Sequence, residues 1–129
     1  MTDMATNLKN KLLNLTLSGT AYAGVDDPYV SLWTSDPTDD ETGTEVSAGS
    51  YARTQASFPL ATTGQVVNDA DITFPTSTGS WGTVTHIGLH ESDTGTGNMI
   101  YHTELDIAKT IDAGDIFKIS SGDLTVELD

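Results

Sequence analysis

The sequence predicts an all-β fold, an antiparallel β-sandwich or jelly-roll-like barrel of about seven to nine short strands with one N-terminal α-helix. Three observations predict it. Threonine, glycine, serine and aspartate dominate, and charged residues make up only 19%. Short β-branched runs alternate with glycine, proline and aspartate turn signals at roughly ten-residue spacing. Long helix-favouring stretches are missing apart from the first twenty or so residues.

The central strand is expected at Trp81-Gly-Thr-Val-Thr-His-Ile-Gly-Leu-His-Glu91, the longest β-branched stretch without proline or an internal charge. Ile87 and Leu89 share one face at period two, whereas Val84 and His86 point to the other. Apolar residues on both faces imply a strand covered on both sides, or one re-aimed by a bulge at Gly88.

The helix is expected over about residues 4–17. Met4, Leu8, Leu12 and Leu15 recur at helical spacing, with Leu13 and Leu17 widening the apolar side. Thr2 or Asp3 is placed to cap it and Gly19 to close it. Such a helix must dock, either on its own sheet or on a neighbouring subunit.

Tyr29–Trp33 reads as a strand with Val30 and Leu32 on one face. Residues 34–50 form a long acidic loop, a length that marks functional or mobile segments. Strands follow at Tyr51–Phe58, Val66–Val67 and Asp71–Phe74. Residues 93–98 make a glycine-rich turn, so 84–91 and 98–105 form a hairpin. Ile107–Ile111 is a separate short segment. Ile116–Ile119 and Leu124–Leu128 complete the set, with Leu124, Val126 and Leu128 inward. The 129 residues read as a single domain, 1–129, able to bury a core without staples.

Charge narrows the function. Nineteen acidic residues against five basic ones give a formal charge of −14, which repels phosphate backbones and anionic lipid, so no nucleic acid and no membrane are expected as partners. Positive partners, divalent cations or a salty medium fit better. With no cysteine, disulfides, cysteine-ligated zinc and thiol nucleophiles are excluded. No apolar run approaches the ~20 residues of a membrane span, and the first residues lack the layout of a signal peptide.

The chemical candidates are weak. His86 and His90 lie about 13 Å apart if both sit on one strand, too far to share a metal, and His102 would depend on an unknown register. Asp36, Asp39, Asp40 and Glu41 lack the alternating spacing of a calcium loop and read as a solvated acidic loop. Arg53, the single arginine, is expected to anchor a carboxylate, within the chain or across an interface. No nucleophile elbow, phosphate loop or dinucleotide fingerprint is present. No enzyme activity, metal or cofactor is expected.

Several segments in order carry a family resemblance: Tyr29-Val-Ser-Leu-Trp-Thr-Ser-Asp-Pro37, Gly43-Thr-Glu-Val-Ser-Ala-Gly-Ser-Tyr-Ala-Arg53, Phe74-Pro75, Trp81 to Leu89, Lys109-Thr-Ile-Asp-Ala-Gly-Asp115 and Gly122-Asp-Leu-Thr-Val-Glu-Leu128. With these, the chain resembles small tailed-phage virion structural proteins, often labelled phage tail fibre or phage structural protein. It departs from them in its strong acidity, notably at Asp39-Asp-Glu41. The resemblance implies a non-enzymatic virion protein made in the bacterial host cytoplasm, a homo-oligomer or one assembled on the virion. The first expectation is capsid decoration, or cement, on the capsid surface and bound to the major capsid protein. Its contacts are expected at Leu8, Leu12, Leu15, Asp36, Asp39, Asp40 and Arg53. The alternative is a tail fibre or tail-tip component that meets a host receptor, with Trp33, Tyr51 or Trp81 stacking on sugar rings.

Overall fold

Strands β6 (Gly82–His90) and β7 (Met99–Ile111) form the expected hairpin at the centre of the main sheet. The computed structural model describes residues 2–128. Along the chain, β1 (Asp3–Met4) and α1 (Thr6–Leu17) precede β2 (Tyr29–Trp33), β3 (Thr54–Gln55), β4 (Gln65–Val67) and β5 (Ile72–Thr73). After the hairpin come β8 (Lys118–Ile119) and β9 (Thr125–Glu127). The main sheet is antiparallel, in the order β1-β7-β6-β2-β3.

A parity conflict in β6 is resolved by a bulge, though not at the expected place. The register passes from Val84↔Lys109 to His86↔Glu104, so Thr85 alone faces Leu105 to Ala108. This shift brings Val84 into the same buried cluster as Ile87 and Leu89. It also merges Ile107–Ile111, read as a separate segment, into the thirteen-residue β7. Gly88 serves close approach instead. A β-carbon there would sit 2.8 Å from Ser31 Oγ and 3.0 Å from Met99 Sδ.

One face of the sheet is covered by a second layer made from two ribbons, β4 with β9 and β5 with β8. They are continuous in path, because residues 65–77 run antiparallel to residues 115–127. Between the ribbons, Asn68 replaces the ladder. Its Nδ2 donates to Ala70 O and Ser120 O at 2.9 and 3.0 Å, and its Oδ1 accepts from Leu124 N at 2.9 Å. Buried polar groups must be paired in this way. Ile72, Phe74, Phe117, Leu124 and Val126 meet Val30, Leu32, Ile87 and Leu89 to form the core. Phe74 and Phe117 pack edge to face, ring centres 5.6 Å apart.

The opposite face holds Ser31, Trp33, His90 and Met99, all buried, so β2 and β6 are covered on both sides as their apolar patterning requires. Trp33 and His90 stack with planes 5° apart.

The helix begins later than its stripe implies. Asp3 and Met4 pair with His102 and Tyr101, and Ala5 N donates to Ile100 O at 2.9 Å, so the chain stays extended until Thr6. Neither Thr2 nor Asp3 caps it. Ala5 occupies the N-cap without a side-chain bond, and the first free N–H, from Thr6, reaches Asp39 O at 2.9 Å. At the other end Gly19 takes φ +66°, as a closing glycine should.

Four strands are shorter than their patterns, β5 and β8 keeping only two residues each. Tyr51–Phe58 contributes only β3, because residues 44–46 occupy the edge of β2 beyond Val30: Thr34 N donates to Thr44 O and Val46 N to Leu32 O, each at 2.9 Å. Leu128 lies past the end of β9 and is 51% exposed rather than inward.

Candidate assembly surface

The acidic loop is not solvated but clasped. Asp39 takes Lys9 Nζ at 2.5 Å and lies 2.7 Å from His102 Nε2. Hydrogen bonds from Lys9 and then His102 hold its carboxyl below the usual range. Glu41 Oε2 accepts from Gly97 N at 2.5 Å, while its buried Oε1 lies 3.7 Å from His90 Nδ1. Asp36 bonds only locally, accepting from Thr38 N at 2.8 Å, and Asp40 is exposed. Of the four acids read as one cluster, two therefore dock the loop and two remain at its surface.

Arg53 anchors a carboxylate as expected, but within the chain. Its Nε and Nη2 hold Glu45 Oε2 and Oε1, both at 2.8 Å, a planar bidentate pairing that only arginine offers. It also donates to Gly95 O at 2.8 Å and Ser92 O at 3.2 Å, tying the loop to the β6–β7 turn. Tyr51 completes the clasp, donating to Glu45 Oε2 at 2.7 Å and accepting from Leu32 N at 3.0 Å. Burial pushes the Glu45 carboxyl up, but these bonds outweigh it and hold the group below its ordinary range. Burial and the neighbouring Glu45 push the Tyr51 hydroxyl far up.

His90 is a core histidine. Its Nδ1 lies 2.9 Å from Asn98 Oδ1 and its Nε2 2.8 Å from Ser31 Oγ, which accepts from Trp33 Nε1 at 2.7 Å. Asn98 Nδ2 donates to Thr94 O, leaving Oδ1 as acceptor, so the Nδ1–H tautomer satisfies both ring nitrogens. The buried Glu41 Oε1 beside the ring has no hydrogen-bond partner among the described residues. Burial, then the Arg53 charge, pushes this imidazole down to about 4. His86 lies 3.8 Å from Glu104. Among the described residues no group of three or more histidine, aspartate or glutamate side chains gathers to hold a metal ion.

The helix stripe divides in two. Leu8 is buried, Leu12 packs half-buried against the core, and Leu15 is 41% exposed. Docking of α1 on its own sheet is fixed by Glu91, which accepts from Lys11 at 2.6 and 2.8 Å and from Asn7 at 2.6 Å. Leu13 and Leu17 are left in solvent. Leu60, 93% exposed, was not among the residues the sequence singled out; a lone leucine between turn signals carries no periodic signal.

Trp33 and Trp81 are 3% and 4% exposed, and Tyr51 lies against Phe74 and Trp81. Burial removes Trp33 and Trp81 as sugar-stacking rings, whereas Tyr51 is half-buried.

The β domain thus holds Arg53, Lys9 and Lys11 in internal ion pairs and leaves Leu13, Leu15 and Leu17 exposed on α1. Residues 3–127 match the family described as podophage GP4 fiber I protein gp80, and the chain belongs to that family. It is a small tailed-phage virion structural protein of fibre type. No curated protein matches the chain.

Proposed function

We propose that the chain is a non-enzymatic subunit of a tail fibre, joined to other virion proteins through apolar contacts. The match to a fibre family over residues 3–127 carries this reading. The internal clasps support it. They consume Arg53, Lys9 and Lys11 within the chain and leave the exposed leucines Leu13, Leu15 and Leu17 as the groups with most to gain from contact.

Capsid decoration on the major capsid protein is a second reading, supported by the charge of −14, which suits a protein that coats particles and keeps them dispersed. Labelling a C-terminal tag on purified virions and counting copies separates the two. A few copies confined to the tail support the fibre, and hundreds over the head replace it with decoration. Absence from particles would sink both.

A further inference from the structure

Residues 34–46 arch over the face that holds Trp33 and His90. The base of the arch is closed, with Thr34 N donating to Thr44 O and Val46 N to Leu32 O. Its crown is strained. Thr38 and Glu41 take φ of +56° and +60° without being glycine, a conformation that persists only where the surroundings impose it. A β-carbon on Gly43 would collide with Asp36 O, so the crown also folds tightly on itself. Two acids impose this shape: Asp39, held by Lys9 and His102, and Glu41, held by Gly97 N beside the His90 ring. The second anchor is incomplete. The Glu41 side chain is only 6% exposed, yet its Oε1 has no hydrogen-bond partner among the described residues. A charged oxygen buried in this way weakens the closed form.

We infer that the arch is a lid over His90, released in mild acid when this ring takes up a proton. The closed surroundings suit only the neutral ring. Asn98 Oδ1 accepts its Nδ1–H, and the same oxygen lies 3.4 Å from Arg53 Nη1. A charge on the ring would therefore face the guanidinium in a site closed to water. The acids facing the ring do not offset this. Glu45 is engaged by Arg53 and Tyr51, and Glu41 turns its other oxygen to Gly97. On the helix side, Lys11 is engaged by Glu91. Burial, then the Arg53 charge, holds the closed ring down at about 4, against 6.5 ordinarily. With Glu41 lifted away, water reaches the ring and its proton affinity returns towards the ordinary value. Between these values the open lid binds a proton that the closed lid excludes. The closed form is thus fully favoured above 6.5 and loses ground as pH falls towards 4. Asp39, whose carboxyl Lys9 and then His102 hold below its usual range, keeps its anchor in this window. The inference goes beyond the fibre reading and does not require it.

The test is native-state hydrogen exchange of the full chain at pH 7 and pH 5, in increasing urea below the unfolding transition. The arch holds the amides of Thr6 and Gly97 through Asp39 O and Glu41 Oε2. These two should exchange through a local opening insensitive to urea, whose equilibrium constant rises about tenfold or more from pH 7 to pH 5. Amides of the β6–β7 hairpin should exchange only through urea-sensitive unfolding of the whole domain. His90→Asn should abolish the rise at Thr6 and Gly97. Asp39→Asn, which loosens the other anchor and leaves the ring untouched, should raise the local opening about tenfold or more at pH 7. Equal urea dependence for the arch and hairpin amides overturns the inference, because the arch would then open only with the whole domain. So does a local opening that is flat in pH, one that rises equally in His90→Asn, or one that Asp39→Asn leaves unchanged. An arch that closes more tightly at pH 5, through an ion pair between Glu41 and a charged ring, overturns it as well.

Discussion

Arg53 and Glu45 meet through two parallel hydrogen bonds of 2.8 Å, with the arginine side chain only 4% exposed. The pair joins the acidic loop to the β6–β7 turn, with the Glu45 side chain 22% exposed.

Removing the arginine should therefore cost far more than removing a surface cation. Arg53→Ala is expected to destabilise the fold by about 3 kcal/mol, the lower end for breaking a buried pair. Lys9→Ala, whose partner Asp39 is shared with His102 and whose own side chain is 45% exposed, should cost much less, as solvent screening weakens an exposed pair. Urea midpoints of the two variants measure the contrast; equal losses would mean that the clasp is no tighter than a surface pair.

Stability should fall in mild acid through His90. The folded ring titrates at about 4, against 6.5 ordinarily. Between these values the unfolded chain binds the extra proton, so the stabilisation is full above pH 6.5 and drains as pH falls towards 4. The window corresponds to about 3 kcal/mol. Protonation of surface carboxylates relieves self-repulsion over the same range and acts in the opposite sense. His90→Asn isolates the histidine: less stable at neutral pH, it should show a flatter decline. Parallel pH profiles for the two proteins would refute the assignment.

Gly88→Ala tests close approach in the core. The added carbon would meet Ser31 Oγ at 2.8 Å and His90 Nε2 at 3.2 Å, and overpacking of this kind costs about 1–3 kcal/mol. Adding Ser31→Ala should give no rescue, because Trp33 Nε1 then loses its acceptor. Thermal unfolding of the single and double variants provides the check.

Asn68→Ala leaves Leu124 N and two carbonyls without the side chain that pairs them. At about 1–3 kcal/mol for each orphaned buried group, the loss should exceed about 2 kcal/mol, and hydrogen exchange at Leu124 should quicken. Unchanged exchange would mean that the ribbons hold without the asparagine.

Much of this architecture is legible in the residues. The β6–β7 hairpin follows from alternation around a glycine-rich turn, and α1 from its leucine spacing. The mismatch between Val84 and the pair Ile87 and Leu89 announces a bulge, but its position depends on how many residues β7 places opposite Thr85, which is a property of the pair. Arg53 had to find a carboxylate, yet nineteen acids offered themselves, and only folding selects Glu45. Asn68 looks like any turn residue until the ribbons close around it. Leu15 belongs to the stripe by period, yet in the fold it is 41% exposed.

The order of the main sheet also governs how the chain assembles. β6 and β7 are the one pair in it joined by a tight turn, whereas β2 reaches β6 from Tyr29 to His90 and β1 reaches β7 from Asp3 to His102. Each distant pairing must first overcome loop-closure entropy, so the hairpin supplies the template on which the others condense. A chain wired in this way folds on the slow scale of non-local β proteins, milliseconds to seconds. The closures that bring β1 and β2 to the hairpin, rather than the 93–98 turn, then limit the rate.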